Sequence, residues 1–295
     1  MRVEKANTGS VTLAYETFGE EGRPPVLLIM GLGAQMIAWH GDFCEALAVG
    51  RYVVRFDNRD VGESDWVEGT VDLAACMSGD TSSAVYTLED MADDTVGLLD
   101  TLGIESAHVV GASMGGMIGQ TLAIRHPRRL RSLTSIMSTT GEHGVARPTD
   151  AAAAALMLPP AKSREEAMER ALAVNMVIGS PGFSRDERDI RERAAQAWDR
   201  GINADGVARQ LAAIQASGDR TQALRSVDRP TLVVHGVEDP LIPLSGGEAT
   251  AAAIPGAELW TVPGMGHDIP RPLWLDVIAR IGALVDAADG APVAQ

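Results

Sequence analysis

Lysine is almost missing from this 295-residue chain: Lys5 and Lys162 stand against twenty-three arginines. A glycine-rich stretch does occur at Met30-Gly31-Leu32-Gly33, but with no lysine nearby and no Gly-Lys-Ser/Thr sequence it lacks the parts of a phosphate cradle. Cysteine is as scarce. Cys44 and Cys76 are the only two, in neither a metal-ligand nor a redox spacing, and a chain this large needs no disulfide staple, so both are expected as free, buried thiols. Positive charge is in deficit: 25 Lys+Arg against 40 Asp+Glu leave a formal net charge of −15. That surface repels nucleic acid and anionic membranes, which excludes both as partners and leaves neutral or cationic small molecules. Long apolar runs are absent too. The longest stretch free of Asp, Glu, Lys and Arg, Ser106 to Ile124, is broken by His108, Ser113, four glycines and Gln120, so no membrane span is expected. Residues Met1-Arg-Val-Glu-Lys5 begin no apolar signal region, from which a cytoplasmic location is expected.

What is present is a 45% apolar composition, enough for the core of one α/β domain with an insertion. No internal repeat is found. Short β-branched runs alternate with helical stretches, the pattern of a mostly parallel sheet covered by helices on both faces. Val11 to Phe18 reads as an edge hairpin strand. Val26–Met30, Tyr52–Asp57, His108–Gly111, Leu133–Met137, Thr231–Gly236 and Glu258–Val262 read as central strands. Thr87-Leu-Glu-Asp90 caps an amphipathic helix over Met91–Leu102, stopped by Gly103. Between residues 141 and 225 the rhythm changes: β-branched runs vanish and alanine, arginine and glutamate dominate. The capping boxes Ser163-x-x-Glu166 and Ser184-x-x-Glu187 predict helices to Ile178 and Arg200, and a third spans Asp205 to Ser217. Residues 1–140 and 226–295 are therefore expected to form the core and residues 141–225 a helical cap, or lid, over the ligand-binding edge of the sheet. The tail Ala287–Gln295 has no periodicity and is expected to fray.

The chemistry centres on Gly111-x-Ser113-x-Gly115, set between the β-branched run Ala107–Gly111 and the small-residue helix Met114–Arg125. A nucleophile elbow needs that context, because the serine must sit on a strained strand-to-helix turn and the flanking glycines admit backbone where a Cβ would clash. A serine hydroxyl also needs a base and a group to orient the base. Of six histidines, His267 in the turn Pro263-Gly-Met-Gly-His267 is best placed to reach the serine. His40, His108, His126 and His235 read as structural, and His143 heads the insertion, where it is a candidate for touching substrate. Thr231–Gly236 then presents Asp239 as the orienting acid; Glu238 should point away because successive side chains alternate, and Asp268 is set aside for the same reason. Backbone N–H groups of Met114 and Leu32 are the expected oxyanion donors. Met30, Gly31, Met137 and Met265, at or just beyond strand ends, are candidates for the substrate pocket. Asp57-Asn-Arg59-Asp-Val-Gly62-Glu-Ser64 reads as a surface turn held by an Asp–Arg pair and is kept out of the site.

With these motifs in place, the chain resembles the α/β-hydrolase superfamily from about Val11 to Leu284, on the strength of Met30-Gly-Leu-Gly, Asp57-Asn-Arg-Asp-Val-Gly-Glu-Ser, Gly111-Ala-Ser-Met-Gly, and Gly-Val-Glu-Asp239 with Gly-Met-Gly-His267. Within it the chain is similar to aclacinomycin-type methylesterases and to the serine esterases that open macrolides, which share the Met-Gly loop, the Asp-x-Arg-Asp turn and Pro-Gly-Met-Gly-His. Many superfamily members have His-Gly where Met30-Gly31 stands; the backbone donor is unaffected. The resemblance implies an α/β-hydrolase fold and a serine carboxylic-ester hydrolase of Ser113, Asp239 and His267, with neither metal nor cofactor. It implies a small to medium apolar ester or lactone as substrate, a macrolide lactone or an anthracycline methyl ester among the options. Ser113 excludes the relatives that use aspartate at the elbow. A carbon–carbon hydrolase, a perhydrolase and a non-catalytic small-molecule receptor stay open as alternatives, as does the oligomeric state.

Overall fold

Successive residues of a strand point to opposite faces of a sheet, and the run Pro25–Ile29 shows what that builds. Val26 and Leu28 enter one buried apolar cluster, Leu27 and Ile29 the other, so the sheet is covered on both sides. The strands are β1 (Glu4–Asn7), β2 (Thr12–Gly19), β3 (Pro25–Ile29), β4 (Tyr52–Phe56), β5 (Ala107–Ala112), β6 (Leu130–Ile136), β7 (Thr231–Gly236) and β8 (Glu258–Val262). The helices are α1 (Gly41–Leu47), α2 (Leu73–Met77), α3 (Leu88–Thr101), α4 (Met114–Arg125), α5 (Asp150–Leu156), α6 (Arg164–Ile178), α7 (Glu187–Arg200), α8 (Ala204–Ser217), α9 (Thr221–Leu224), α10 (Ser245–Ala253) and α11 (Trp274–Ala288). They come from a computed structural model that describes residues 3–290.

The sheet order is β1-β2-β4-β3-β5-β6-β7-β8, with β2 antiparallel to β1 and β4 and every other pairing parallel. Leu98 and Leu99 of α3 and Ile118 and Leu122 of α4 cover one face; Phe43 and Leu47 of α1 and Ile281 and Val285 of α11 cover the other. Cys44 and Cys76 are free and buried, and burial pushes the Cys44 thiol up to about 12. Parallel strands leave all their carboxyl ends on one edge, where α/β sheets gather ligands. Met30, Ser113, Met137, Asp239 and His267 all lie beyond the carboxyl ends of strands on that edge.

Five expectations need correction. The strand beginning near Val11 is not at the edge: the short polar β1 lies outside it, and four residues reading Glu-Lys-Ala-Asn carry no apolar signal. Glu258–Val262 is the opposite edge rather than a central strand, with Glu258 and Thr261 exposed. Between β6 and β7 lie five helices rather than three. The additional ones are the four-residue α9 and α5, an alanine run capped by Thr149, whose Oγ1 accepts the Ala152 N–H at 3.2 Å. The α7 cap is Asp186, not Ser184: its Oδ1 accepts the Asp189 N–H at 3.0 Å. Finally, Ala287 and Ala288 are helical, while residues 291–295 of the expected frayed tail lie outside the described residues.

Candidate active site

Strand β5 ends at Ala112 and α4 starts at Met114, so Ser113 alone makes the turn, at φ 56° and ψ −120°. A non-glycine residue held there stores on the order of 1–3 kcal/mol of strain, which the packing around it must offset. That packing explains the flanking glycines. A Cβ on Gly111 would run into the backbone of Gly115 and Gly116, and one on Gly115 into the Ile29 carbonyl. Ser138 donates its hydroxyl to the Ser113 carbonyl at 2.8 Å, bracing the turn from just beyond β6. The Met114 N–H, first in the helix, has no hydrogen-bond partner among the described residues. It adds a free donor to the positive end of the α4 dipole.

His267 Nε2 lies 3.0 Å from Ser113 Oγ, and His267 Nδ1 lies 2.7 Å from Asp239 Oδ2. Asp239 is buried, and its other oxygen accepts the N–H groups of Leu241 and Ile242, both at 2.9 Å. Those bonds leave one oxygen to face the imidazole. Glu238 is exposed and turns its carboxylate to the Gly264 N–H instead. His235 packs nearby with its Nε2 2.7 Å from the Ile242 carbonyl, and burial pushes its imidazole below the ordinary histidine range. The turn that carries His267 looks flexible in sequence and is tightly held in space. A Cβ on Gly266 would strike the Gly179 carbonyl, Gly182 donates its N–H to Gly264 at 2.9 Å, and His267 donates its own to the Ile178 carbonyl at 2.6 Å. Asp268 accepts from Ser180 N at 2.9 Å and from Asn175 Nδ2 at 3.2 Å, so it ties this turn to α6 rather than serving the imidazole.

The loop Met30–Gly33 lies against the serine: a Cβ on Gly31 would come within 3.0 Å of Ser113 Cβ. Leu32 N–H, like that of Met114, is unpaired among the described residues. Two side chains hold the loop from either end. Asn58 donates to the Met30 carbonyl at 2.9 Å, and Gln210 of α8 accepts the Gly33 N–H at 2.8 Å. Here the expectation for Asp57–Ser64 is overturned. Asp57, Asn58, Arg59 and Asp60 are buried rather than on the surface, and their ionic partners come from distant segments. Asp57 pairs with Arg200 of α7 and accepts the Met36 N–H at 2.6 Å; Arg59 pairs with Asp94 of α3 at 2.6 Å; Asp60 pairs with Arg209 of α8 at 2.8 and 2.9 Å. Burial raises the Asp57 carboxyl above its usual range against the opposing pull of Arg200. For Asp60 burial is outweighed by Arg209, Tyr86 and the Val67 N–H, which hold its carboxyl below that range.

A cavity of about 470 Å³ opens between this edge of the sheet and helices α6 and α7, within the size range of small-molecule sites. Met30, Met137 and His267 line it. Both helices face it with one repeating stripe, residues 170, 171, 174, 175 and 178 of α6 and 189, 190, 193, 194 and 197 of α7. Three pocket candidates are not in its wall. Gly31 packs against Ser113 instead. Met265 is fully buried in the core beneath the His267 turn, and His143 sits exposed in a turn between β6 and α5. Ser138, Asn58, Asp57 and Gln210 are the supporting residues that sequence reasoning missed. Only the Asp57 turn stood out in the sequence, and its charges misled because their partners lie more than thirty residues away.

A sequence model of the alpha/beta hydrolase fold matches residues 24–270. Over 303 aligned residues the chain is 30% identical to the rhodomycin D methylesterase of Streptomyces peucetius, covering 94% of this chain and 96% of that one. It is 29% identical, with the same coverage, to the rhodomycin D methylesterase of Streptomyces sp. strain C5. Among solved structures it matches a thermophilic esterase from Thermogutta terrifontis with a TM-score of 0.72 and 25% identity, covering 98% of this chain and 99% of that one.

Proposed function

Since the chain belongs to the alpha/beta hydrolase family, we propose that it is a serine carboxylic-ester hydrolase acting on a small to medium apolar ester or lactone. One observation carries this reading: Ser113 Oγ, His267 and the buried Asp239 carboxylate form an unbroken hydrogen-bonded chain, and His267 at its centre lines the cavity. Ser113 Oγ attacks the ester carbonyl while His267 Nε2 takes its proton. Asp239 holds the Nδ1–H tautomer and stabilises the imidazolium that forms. The free N–H groups of Leu32 and Met114 receive the oxyanion. His267 then protonates the departing alcohol, and water, activated by the same imidazole, releases the acid from Ser113. Residues 141–225 act as the cap, with α6 and α7 as the wall that selects the substrate. The named activity of the Streptomyces relatives makes a polyketide methyl ester the first substrate class to try.

The test is hydrolysis of a short-chain p-nitrophenyl ester by the wild type, Ser113→Ala and His267→Ala, with the acyl-enzyme sought by mass spectrometry. Activity lost in both variants, with an acyl adduct on Ser113, supports the reading. An inactive wild type, or variants as active as it, overturns the assignment. Product masses from anthracycline methyl esters and macrolide lactones then tell loss of methanol from ring opening.

A further inference from the structure

Four arginines line the cavity, and two of them have nothing to neutralise them. Arg193 pairs with Asp189 at 2.9 Å and Arg271 with Asp42 at 3.0 Å. Arg170 of α6 and Arg185, in the segment joining α6 to α7, have no carboxylate within 4.0 Å among the described residues. Arg170 Nε is buried without a hydrogen-bond partner among those residues, although its Nη2 donates to the Leu158 carbonyl at 3.2 Å. A desolvated guanidinium N–H left unpaired is costly, and a ligand oxygen in the cavity would satisfy it. Arg185 is positioned without being neutralised: its Nε donates to Asn175 Oδ1 at 2.6 Å, and Asn175 is itself fixed by Asp268. The carboxylates of the same wall are engaged elsewhere, Asp189 with Arg193, Asp268 with Ser180 and Asn175, and Asp186 as the cap of α7. Arg170 also occupies the cavity-facing stripe of α6, where Ala171, Val174 and Ile178 are apolar.

We infer that Arg170 and Arg185 form a subsite for an ionised carboxylate. This rests on the ester-hydrolase reading and narrows its substrate to esters with an apolar body and a second, free carboxylate. The planar guanidinium matches a carboxylate through paired N–H···O bonds, and in a partly enclosed cavity such bonds are stronger than on an open surface. The chain's net charge of −15 opposes the approach of an anion, so the preference belongs to the bound state, not to long-range attraction.

The experiment compares monomethyl esters of straight-chain dicarboxylic acids, over a graded series of lengths, with neutral methyl alkanoates of matching length. Acetyl esters of hydroxycarboxylic acids place the anion on the alcohol side and identify which half of the substrate carries it. The expected result is a kcat/KM for the best anionic ester about tenfold or more above its neutral match, carried by KM, consistent with one charge-assisted contact. That ratio should fall towards one in Arg170→Gln/Arg185→Gln and be partly kept in Arg170→Lys and Arg185→Lys. A wild-type ratio at or below one at every length and on both sides, while neutral esters are turned over through Ser113, overturns the subsite alone. So does a ratio unchanged in the double Gln variant. If that variant fails to fold, the wild-type ratio and the two Lys variants decide. Loss of all Ser113-dependent ester hydrolysis instead removes the reading on which the subsite rests.

Discussion

Gln210→Met should damage catalysis from a residue that touches no substrate. Gln210 is fully buried in α8 and holds two backbone groups, accepting the Gly33 N–H at 2.8 Å and donating to the Arg59 carbonyl at 2.9 Å. Methionine keeps the volume and removes both bonds. Gly33 is half-buried, so its N–H recovers water and the loss there is about 1 kcal/mol, whereas the carbonyl in the buried turn loses about 1–2 kcal/mol, for a total of about 2–3 kcal/mol. The larger effect is on rate. Leu32 sits between two tethers, Asn58 on Met30 and Gln210 on Gly33, and cutting the second lets its N–H leave the position the oxyanion requires. Deleting an oxyanion donor costs about a hundredfold to a thousandfold in kcat, so misplacing one should cost about tenfold to a hundredfold, with KM little changed. Urea denaturation reads the first number and steady-state hydrolysis of a p-nitrophenyl ester the second. A variant destabilised as expected but with wild-type kcat refutes Leu32 as a donor. One unchanged in both refutes the tether.

Asp239→Asn should lower kcat about 10⁴-fold, as expected when an orienting carboxylate is replaced by an amide that favours the wrong tautomer; a loss under tenfold would remove Asp239 from the mechanism. Arg209→Met should cost about 3 kcal/mol in urea denaturation, the low end for breaking a buried pair, because Asp60 keeps Tyr86 at 2.7 Å and the Val67 N–H at 2.8 Å. The double variant Asp60→Asn/Arg209→Met should cost less than the sum of the singles, and additivity would contradict the pairing. Burial lowers the imidazoles of His108 and His235, so below about 6.5 the unfolded chain binds more protons than the folded one. Stability is therefore full above that pH and falls as pH drops, by up to about 1.4 kcal/mol per pH unit for each imidazole. Urea midpoints at neutral and mildly acid pH should differ less in His108→Gln than in the wild type; an equal or larger difference excludes His108 from the effect.

The parallel strands are legible in the sequence because each is buried on both faces and reads as a continuous β-branched run. Edges carry no such signature: β1 is polar, and β8 has the composition of a central strand without the burial. Ser113, Asp239 and His267 are legible because each follows a strand and stands among glycines whose role is steric, at Gly111, Gly236 and Gly266. The charged turn after β4 is illegible for the opposite reason. Its meaning lies wholly in Arg200, Arg209 and Asp94, and nothing in a single sequence pairs residues so far apart. Met265 fails as a pocket residue because strand-end position does not say whether a side chain turns into the cavity or under it, and His143 fails because its place at the head of the insertion leaves it exposed in a turn.

That turn also couples two parts of the molecule that otherwise have separate tasks. Arg200 lies at the end of α7 and Arg209 in α8; both reach out of the proposed cap into carboxylates buried beneath the sheet edge. On the other side, Asp57 binds the Met36 N–H, Asn58 the Met30 carbonyl, and the Arg59 carbonyl receives Gln210. One four-residue stretch thus holds α7, which walls the cavity, its neighbour α8, and the loop expected to bind the oxyanion. Buried ion pairs add little stability over apolar packing, because desolvation cancels most of the attraction. Their geometric specificity is the better reason for placing two of them here. Changes to α7 that refit the cavity to a new substrate must therefore spare Arg200, and changes to α8 must spare Arg209, or kcat is expected to fall for every ester, including those that fit.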